Sequence, residues 1–208
     1  YTKALITNMD DPLSSSIGNS LEVKTVVEVL LGKNKNETAL LDTTIALSVE
    51  LYMMVYSEKS PLQIKQKIYS LLESGHVAER FEKMVSALGG PKNFLSIYQE
   101  VLPRANSVIP VKAKKKGFIS QINTKALGDI LVKIGGGRQK ASNKLDLSVG
   151  FTEVVKSGEK VNKKTSLLFL HGDGELLTAG LEKEISDCFS ISESEPAQLK
   201  NPILKKVI

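Results

Sequence analysis

The pattern of apolar residues in this 208-residue sequence changes near Pro103. Before it, apolar residues recur at helical spacing, and the stretches end at glycine or proline. After it, short β-rich runs are separated by turns that contain glycine and lysine. We therefore predict a domain boundary there, with one domain over residues 1–104 and a second over 105–208. The predicted fold class is α/β for the first domain and α+β for the second.

The first domain is predicted to begin with a strand and to continue with helices. Residues 3–8 are a short apolar run closed by turn residues, which is typical of a buried strand. With the polar loop and the helix that follow, this strand predicts one βα unit. The predicted helices lie within residues 14–32, 37–56, 60–75, 76–88 and 91–103. The second is apolar on nearly every side, so we expect it to be buried within the molecule.

The second domain is predicted to contain strands about ten residues apart and one helix at about 124–134. The strand runs are SVIPVKA, GFISQI, VGFTEVV and TSLLFLH. A glycine triplet, Gly135 to Gly137, comes before Arg138 and resembles a phosphate cradle. However, it follows a helix and would meet the negative end of the helix dipole, so we predict a helix-capping turn.

Composition excludes several classes of protein. Cys188 is the single cysteine, so a disulfide scaffold is excluded and a reducing, cytoplasmic location is predicted. We find no secretion signal and no apolar run that approaches the length of a membrane span. The net charge is +5, yet the densest lysine cluster, at 112–116, has no interleaved aromatic residue, so we do not expect nucleic-acid binding.

The serine loop before the first predicted helix is the strongest candidate for a binding site. Backbone N–H groups and hydroxyls of Ser14, Ser15 and Ser16 precede a helix N-terminus and can receive an anion there. The alternative is that these serines only cap the helix. If residues 3–8 belong to an open α/β sheet, the loop also lies at the carboxyl end of a strand, where ligands gather.

The other reactive residues are predicted to have structural roles. His76 and His171 lie far apart in the sequence and have no metal-binding spacing, so no metal site is expected from them. Cys188 is predicted to be a small core residue. Lys163 and Lys164 lie in a polar turn like that of biotinyl and lipoyl carrier domains, a likeness that concerns the fold more than attachment of a group.

Three long stretches also resemble a known family. ALITNMDDPLSSSIGNSLEVK, HVAERFEKMVSALGGP and the segment from GFISQINTKALGDIL to VVKSGEKV are similar to successive stretches of the thymidine phosphorylases and related pyrimidine-nucleoside phosphorylases. The resemblance implies reversible phosphorolysis of a pyrimidine deoxynucleoside, with phosphate as co-substrate and no further cofactor. It also implies an α/β domain followed by a barrel-sandwich-like C-terminal domain.

The family's catalytic motifs are not among these residues. The family uses a lysine-histidine-serine glycine-rich loop, a second phosphate loop similar to GRGLGHTGGT, and a base-gripping arginine, serine and lysine. None can be assigned to a residue here, so no catalytic residue is predicted. Some members bind a monovalent cation through backbone carbonyls that match Leu13 and Ser16, with a glutamate where this chain has Thr25. We expect that site to be broken.

The resemblance leaves three possibilities for the chain. It is the C-terminal part of a thymidine phosphorylase, inactive by itself; a non-catalytic scaffold or interaction module; or one half of a split phosphorylase. The family is homodimeric, but the dimer-forming helices are not among these residues. Because Tyr1 lies close to an apolar strand, we expect a longer protein, and we expect the 208-residue product to self-associate or to pair its first strand differently.

Overall fold

A computed structural model describes residues 2–56, 60–175, 178–196 and 202–207, so Tyr1 lies outside the described residues. The described chain combines seven helices with eight short strands, and its strand pairings are antiparallel. The first half contains β1 (Ala4–Thr7), α1 (Asn19–Leu30), α2 (Thr38–Val55), α3 (Pro61–Glu73), α4 (His76–Ala87) and α5 (Phe94–Val101). The second half contains β2 (Ser107–Lys112), β3 (Gly117–Ile122), α6 (Thr124–Lys133), β4 (Gly150–Thr152), β5 (Lys160–Val161), β6 (Ser166–Gly172), α7 (Ala179–Asp187), β7 (Phe189–Ser192) and β8 (Ile203–Val207).

The chain forms two compact units that do not follow a linear division at 104/105. The described residues of 2–8, 24–101 and 202–207 form the first unit, and those of 9–23 and 102–196 form the second. The second unit therefore takes a segment from near the start of the chain. Local sequence pattern alone cannot assign this segment to the second unit, because its partners lie more than 80 residues away.

The predicted helix ends of the first unit are confirmed. After α4, Gly89 has φ +93°, and the N–H of Gly90 donates to the carbonyl of Val85 at 2.9 Å, which closes a Schellman turn. Before α3, the Ser60 hydroxyl accepts from the backbone N–H of Gln63, and the Gln63 side chain accepts from the Ser60 N–H. This capping box satisfies two amide groups that the helix itself leaves free.

Helix α2 forms as predicted, but the prediction that it is buried is wrong. Only Thr43, Ile45 and Val49 of this helix are buried. Ile45 and Val49 pack with Ile64 of α3 in a small apolar cluster. Among the described residues, α2 is also long and apolar enough to cross a membrane by length and composition alone. The prediction that no apolar run approaches such a length is therefore wrong for this helix.

Strand β1 forms where it is predicted, but it is not buried. Its side chains alternate between exposed and half-buried, and Ile6 is 47% exposed. The reason is that β1 pairs with a single strand, β8, in a two-stranded antiparallel sheet. A two-stranded sheet that is not covered on both faces leaves part of its side chains exposed to solvent.

The second unit contains two three-stranded antiparallel sheets around one core. Their strand orders are β2-β6-β4 and β5-β3-β7. The core includes Ile119, Leu127, Phe151, Leu168 and Ile185, each fully or almost fully buried. These residues come from both sheets and from both helices, α6 and α7, so the four elements share one apolar interior.

Candidate functional site

The segment at residues 9–20, which contains the predicted anion-binding serines, is built into the second unit. Ile17 and Phe151 exchange two backbone hydrogen bonds, at 2.9 Å and 2.7 Å. The N–H of Val154 donates to the carbonyl of Ser15 at 3.0 Å. The segment therefore extends the edge of β4 and is fixed by pairing of the kind that holds a sheet together.

Two glycines allow this close approach. Gly18 has φ +137° and Gly150 has φ +154°. A Cβ on Gly150 would lie 2.2 Å from the carbonyl oxygen of Ile17 and 3.0 Å from the Cα of Gly18. No side chain fits at that distance, so the contact requires glycine at position 150.

Side-chain hydrogen bonds hold the same segment in place at three further points. The hydroxyl of Ser157 donates to a carboxylate oxygen of Asp11 at 2.6 Å. The Thr124 hydroxyl lies within hydrogen-bond distance of the Met9 carbonyl, at 2.9 Å. The side-chain amide of Asn19 donates to the carbonyl of Gly136 at 3.0 Å. These contacts connect the segment to α6, to the turn after α6 and to the loop before β5.

Three backbone amide groups of this loop already have acceptors. The N–H of Ser16 donates to the Ser14 hydroxyl at 3.2 Å, and that of Ile17 to Phe151. The N–H of Gly18 donates to the Glu22 carboxylate at 3.0 Å. Glu22 thus supplies a negative charge to the start of α1, at the place where a bound anion would lie. Anion binding by Ser14, Ser15 and Ser16 stays a prediction, with fewer donors available than the sequence suggests.

The residues at the predicted cation site differ in their exposure to solvent. Leu13 is 48% exposed, Ser16 is 8% exposed, and Thr25 is buried in the first unit. Within the described ranges, no group of three or more His, Cys, Asp or Glu side chains is placed to hold a metal ion. The cation site that the resemblance implies uses the backbone carbonyls of Leu13 and Ser16, so this finding does not test it and it stays a prediction.

The glycine triplet after α6 forms the predicted capping turn. Gly135 has φ +98°, and the N–H of Gly136 donates to the carbonyl of Leu131 at 2.9 Å. The N–H of Gly135 donates to Val132 at 3.2 Å. These two bonds are those of a Schellman motif, so the turn serves the helix end and not a phosphate.

The two histidines and the cysteine have separate surroundings. His171 Nε2 lies 2.7 Å from the Thr152 hydroxyl on the neighbouring strand, and His76 Nδ1 lies 2.7 Å from the Ser74 hydroxyl in an exposed position. Cys188 is buried in the core of the second unit, as predicted. Burial, together with the nearby charges of Asp187 and Glu184, raises the pKa of its thiol to about 11.

Lys163 and Lys164 are exposed in the turn that joins β5 to β6. The N–H of Thr165 donates to the Asn162 carbonyl at 2.8 Å, and the Asn162 side chain accepts from the N–H of Lys164. This turn does not close a hairpin, because β5 pairs with β3 whereas β6 pairs with β2 and β4. It carries the chain from one sheet to the other.

The partners of the 9–20 segment were not predicted from the sequence. Phe151, Glu22 and Ser157 carry its contacts, and each lies in a different stretch of the chain. The sequence contains only two weak signals of these contacts. Gly150 interrupts a β-rich run, which indicates a close backbone approach, and Glu22 follows Gly18 by four residues at a helix start, close to capping-box spacing.

Comparison with known protein families identifies the domain type of the second unit. Residues 118–192 match the family model described as the pyrimidine nucleoside phosphorylase C-terminal domain. The match runs from β3 to the end of β7, so it covers both helices and most strands of the unit. The fold and the match together define a phosphorylase C-terminal domain.

For this C-terminal part, the match confirms the resemblance to the pyrimidine nucleoside phosphorylases that is seen in the sequence. The structure adds two pieces to the matched domain. Strand β2 pairs with β6 over the whole length of β2, and the 9–20 segment pairs with Phe151. The folded unit is therefore larger than the matched stretch.

Proposed function

We propose that the chain serves as the C-terminal portion of a thymidine phosphorylase, in the cytoplasm. That enzyme converts thymidine and phosphate to thymine and 2-deoxyribose 1-phosphate. The observation that carries the proposal is the family match at 118–192. It is supported by the docking of the 9–20 segment onto the matched domain, since the sequence of that segment also resembles the family.

In this proposal residues 1–104 are the end of the family's α/β domain, and residues 105–208 are its β-rich C-terminal domain with a barrel-sandwich-like arrangement. The two three-stranded sheets of the second unit, joined by the turn at Lys163 and Lys164, support that arrangement. The helices α1 to α5 are consistent with the helical part of an α/β domain.

The chain's own residues have a supporting role in this reaction. Phosphorolysis needs an anion cradle, a donor for the departing base and exclusion of water as positive charge develops on the sugar. The family's motifs for these tasks are not among the 208 residues. The amide groups of Ser16, Ile17 and Gly18 are already bonded. We therefore propose that the 208-residue chain alone does not cleave thymidine, and that nucleoside and phosphate bind the complete enzyme without another cofactor.

A second candidate function is that of a non-catalytic interaction module. The exposed apolar side chains of α2 favour it, because Leu47, Leu51 and Val55 are each more than half exposed. Such side chains are characteristic of a surface that another polypeptide covers.

The experiment that tests the proposal is an assay of thymine release on two samples, with and without phosphate. One sample is the purified 208-residue chain, and the other is the native protein isolated from its source cells, with its intact mass measured. We expect no release from the first and phosphate-dependent release from the second, at a mass above 22.7 kDa. A native protein of 22.7 kDa that releases no thymine would overturn the proposal and favour the interaction module.

A further inference from the structure

Seven lysines lie together at one end of the second unit. They belong to two stretches, residues 112–116 and 160–164, and they are every residue of these stretches except Ala113, Val161 and Asn162. Each of the seven residues is exposed, and neither stretch contains an acidic residue. We call these seven residues the lysine patch. The patch lies wholly within the second unit, which has its own continuous core.

Strand pairing brings the two stretches side by side. Residues 113–116 connect β2 to β3, and residues 162–165 connect β5 to β6, so each turn crosses from one sheet to the other. Because β2 pairs with β6 and β3 pairs with β5, the two turns lie at the same end of the sheets. The N–H of Ala113 donates to the carbonyl of Thr165 at 3.0 Å. Two lysine turns that are far apart in sequence therefore form one surface.

Few acidic groups face the patch. Lys114 binds Asp187 at 3.0 Å, and both side chains are more than half exposed. Glu159 precedes the second stretch, but one of its carboxylate oxygens accepts from the backbone N–H of Lys156 at 3.0 Å. Glu193 follows the end of β7, which pairs with β3 at this end of the sheet. Within the part of the chain that the structure describes, Lys114 is the one member of the patch in an ion pair.

The patch accounts for the basic character of the chain. The chain has 28 lysines and arginines and 23 aspartates and glutamates, so without the seven lysines the acidic residues would outnumber the basic ones. Like charges that are crowded at one end of a domain repel one another and oppose folding. The exposed ion pair of Lys114 contributes little to stability in return. An anionic partner therefore explains the patch better than the stability of the fold does.

We propose that the lysine patch binds the anionic surface of a membrane, reversibly and by charge alone. Clusters of about four to eight lysines attract acidic lipid headgroups, and each lysine near the surface strengthens binding about fivefold. A planar surface can reach the side chains of both turns at once. Ala113 and Val161 are buried, so the patch inserts no apolar side chain. Without such an anchor, binding is reversible and sensitive to salt.

The composition of the patch favours a membrane over nucleic acid or an acidic protein segment. The patch contains no arginine, the side chain that contacts bases and phosphates through two hydrogen bonds at once. Phe118 follows the first stretch, but the Lys160 ammonium group lies over its ring, 5.9 Å from the centroid, on the face that a stacked base would need. Extended peptides are recognised through pockets for their side chains. The apolar residues of the two stretches are buried and provide no such pocket.

Cosedimentation with vesicles tests the proposal. The 208-residue chain and the native protein isolated from its source cells are each mixed with vesicles of phosphatidylcholine and phosphatidylglycerol at about 0.1 M salt. We expect both proteins to sediment with these vesicles and neither to sediment with phosphatidylcholine alone. Binding should weaken at least about tenfold at 0.5 M salt, because salt screens exposed charges. Millimolar inorganic phosphate should not release the protein, which distinguishes a lipid surface from a site for free phosphate.

Variants with equal changes in net charge locate the binding surface. Lys163→Gln combined with Lys164→Gln should weaken binding at least about tenfold. The matched control combines Lys83→Gln with Lys92→Gln, which removes two exposed lysines from the first unit and should leave binding unchanged. Circular dichroism checks that the variants are folded.

The other turn of the patch supplies an independent variant. Lys115→Gln combined with Lys116→Gln should weaken binding as much as the change at the second turn, because both turns belong to one surface. Loss of binding on changing one turn only would contradict a patch that is formed by two turns.

Three further results would overturn the proposal. The first is failure of the chain to sediment with anionic vesicles, or equal loss of binding in the patch and control variants. The second is binding by the 208-residue chain but not by the native protein, which would mean that the assembled protein covers the patch. The third is release from vesicles by a short DNA duplex or by polyglutamate at an equal concentration of charge, which would assign the patch to another partner. None of these results bears on phosphorolysis, which the thymine-release assay tests separately.

Discussion

Ile17 and Phe151, which are 134 residues apart in sequence, exchange two backbone hydrogen bonds at 2.9 Å and 2.7 Å. This pair joins a segment near the start of the chain to a strand of the phosphorylase C-terminal domain. The domain is thereby completed by residues outside the stretch that matches the family. We expect its stability to depend on both partners.

The first prediction concerns Gly150, whose position allows this pairing. Gly150→Ala should lower the free energy of unfolding by about 3 kcal/mol or more, because the new Cβ would lie 2.2 Å from the Ile17 carbonyl oxygen at a φ of +154°. Chemical denaturation measures the effect. Gly128→Ala is the control: a Cβ there meets nothing within 4 Å, so this helical position should gain about 0.5–1 kcal/mol. Equal stability of the two variants would contradict the pairing.

The second prediction concerns Glu50. Burial raises the pKa of its carboxyl group, but hydrogen bonds from Lys206 and Lys3 outweigh that effect and leave the pKa below its usual value. A carboxyl group with a lowered folded-state pKa adds stability above its unfolded pKa, and this stability is lost as the pH falls through the folded pKa. Glu50→Gln should therefore cost about 1 kcal/mol at pH 7 and much less near pH 2.

Thermal melting of Glu50→Gln at several pH values measures this dependence. Asp42→Asn is the matched control, because Asp42 is an exposed carboxylate on the same helix and should show little change. A cost for Glu50→Gln that is equal at both ends of the pH range would mean that the two lysines do not stabilise the charged form.

The third prediction concerns the thiol of Cys188. With its pKa raised to about 11 by burial and by the charges of Asp187 and Glu184, almost none of it is thiolate at pH 8. Labelling with a disulfide reagent at pH 8 should be at least about 100-fold slower in the native protein than in urea. Ser190→Cys in a Cys188→Ala background supplies an exposed control. Rapid labelling of native Cys188 would show that this core opens readily.

The fourth prediction concerns Thr43, whose hydroxyl oxygen is buried without a hydrogen-bond partner among the described residues. Thr43→Val keeps the shape and removes this unpaired group, so it should raise the free energy of unfolding by about 1 kcal/mol. Thermal melting measures the change. A lower melting temperature would mean that the hydroxyl has an acceptor in the assembled protein.

Local signals predicted the helices well, because each signal is a short-range physical requirement. Ser60 and Pro61 begin α3, and glycines with positive φ end α1, α4 and α6, as the sequence indicates. Local pattern also located β1 and most strands of the second unit. It missed β5, which has two residues, and it missed α7, β7 and β8.

Local sequence pattern did not predict which elements pack against or pair with each other. The composition of α2 suggests burial, but burial depends on what packs against it, and Leu51 and Val55 face outward. The serine loop was identified as a possible anion site from residue type. Its actual acceptors, Phe151 and Glu22, depend on where the folded chain places them.

The proposed function is best tested by measuring thymine release from the protein purified from its source cells through a tag on the endogenous chain. We expect phosphate-dependent cleavage of thymidine to copurify with the tag and to yield 2-deoxyribose 1-phosphate, and we expect the 208-residue chain alone to be inactive. Absence of thymine release from the purified native protein, in the presence of phosphate, would contradict its assignment to a working thymidine phosphorylase.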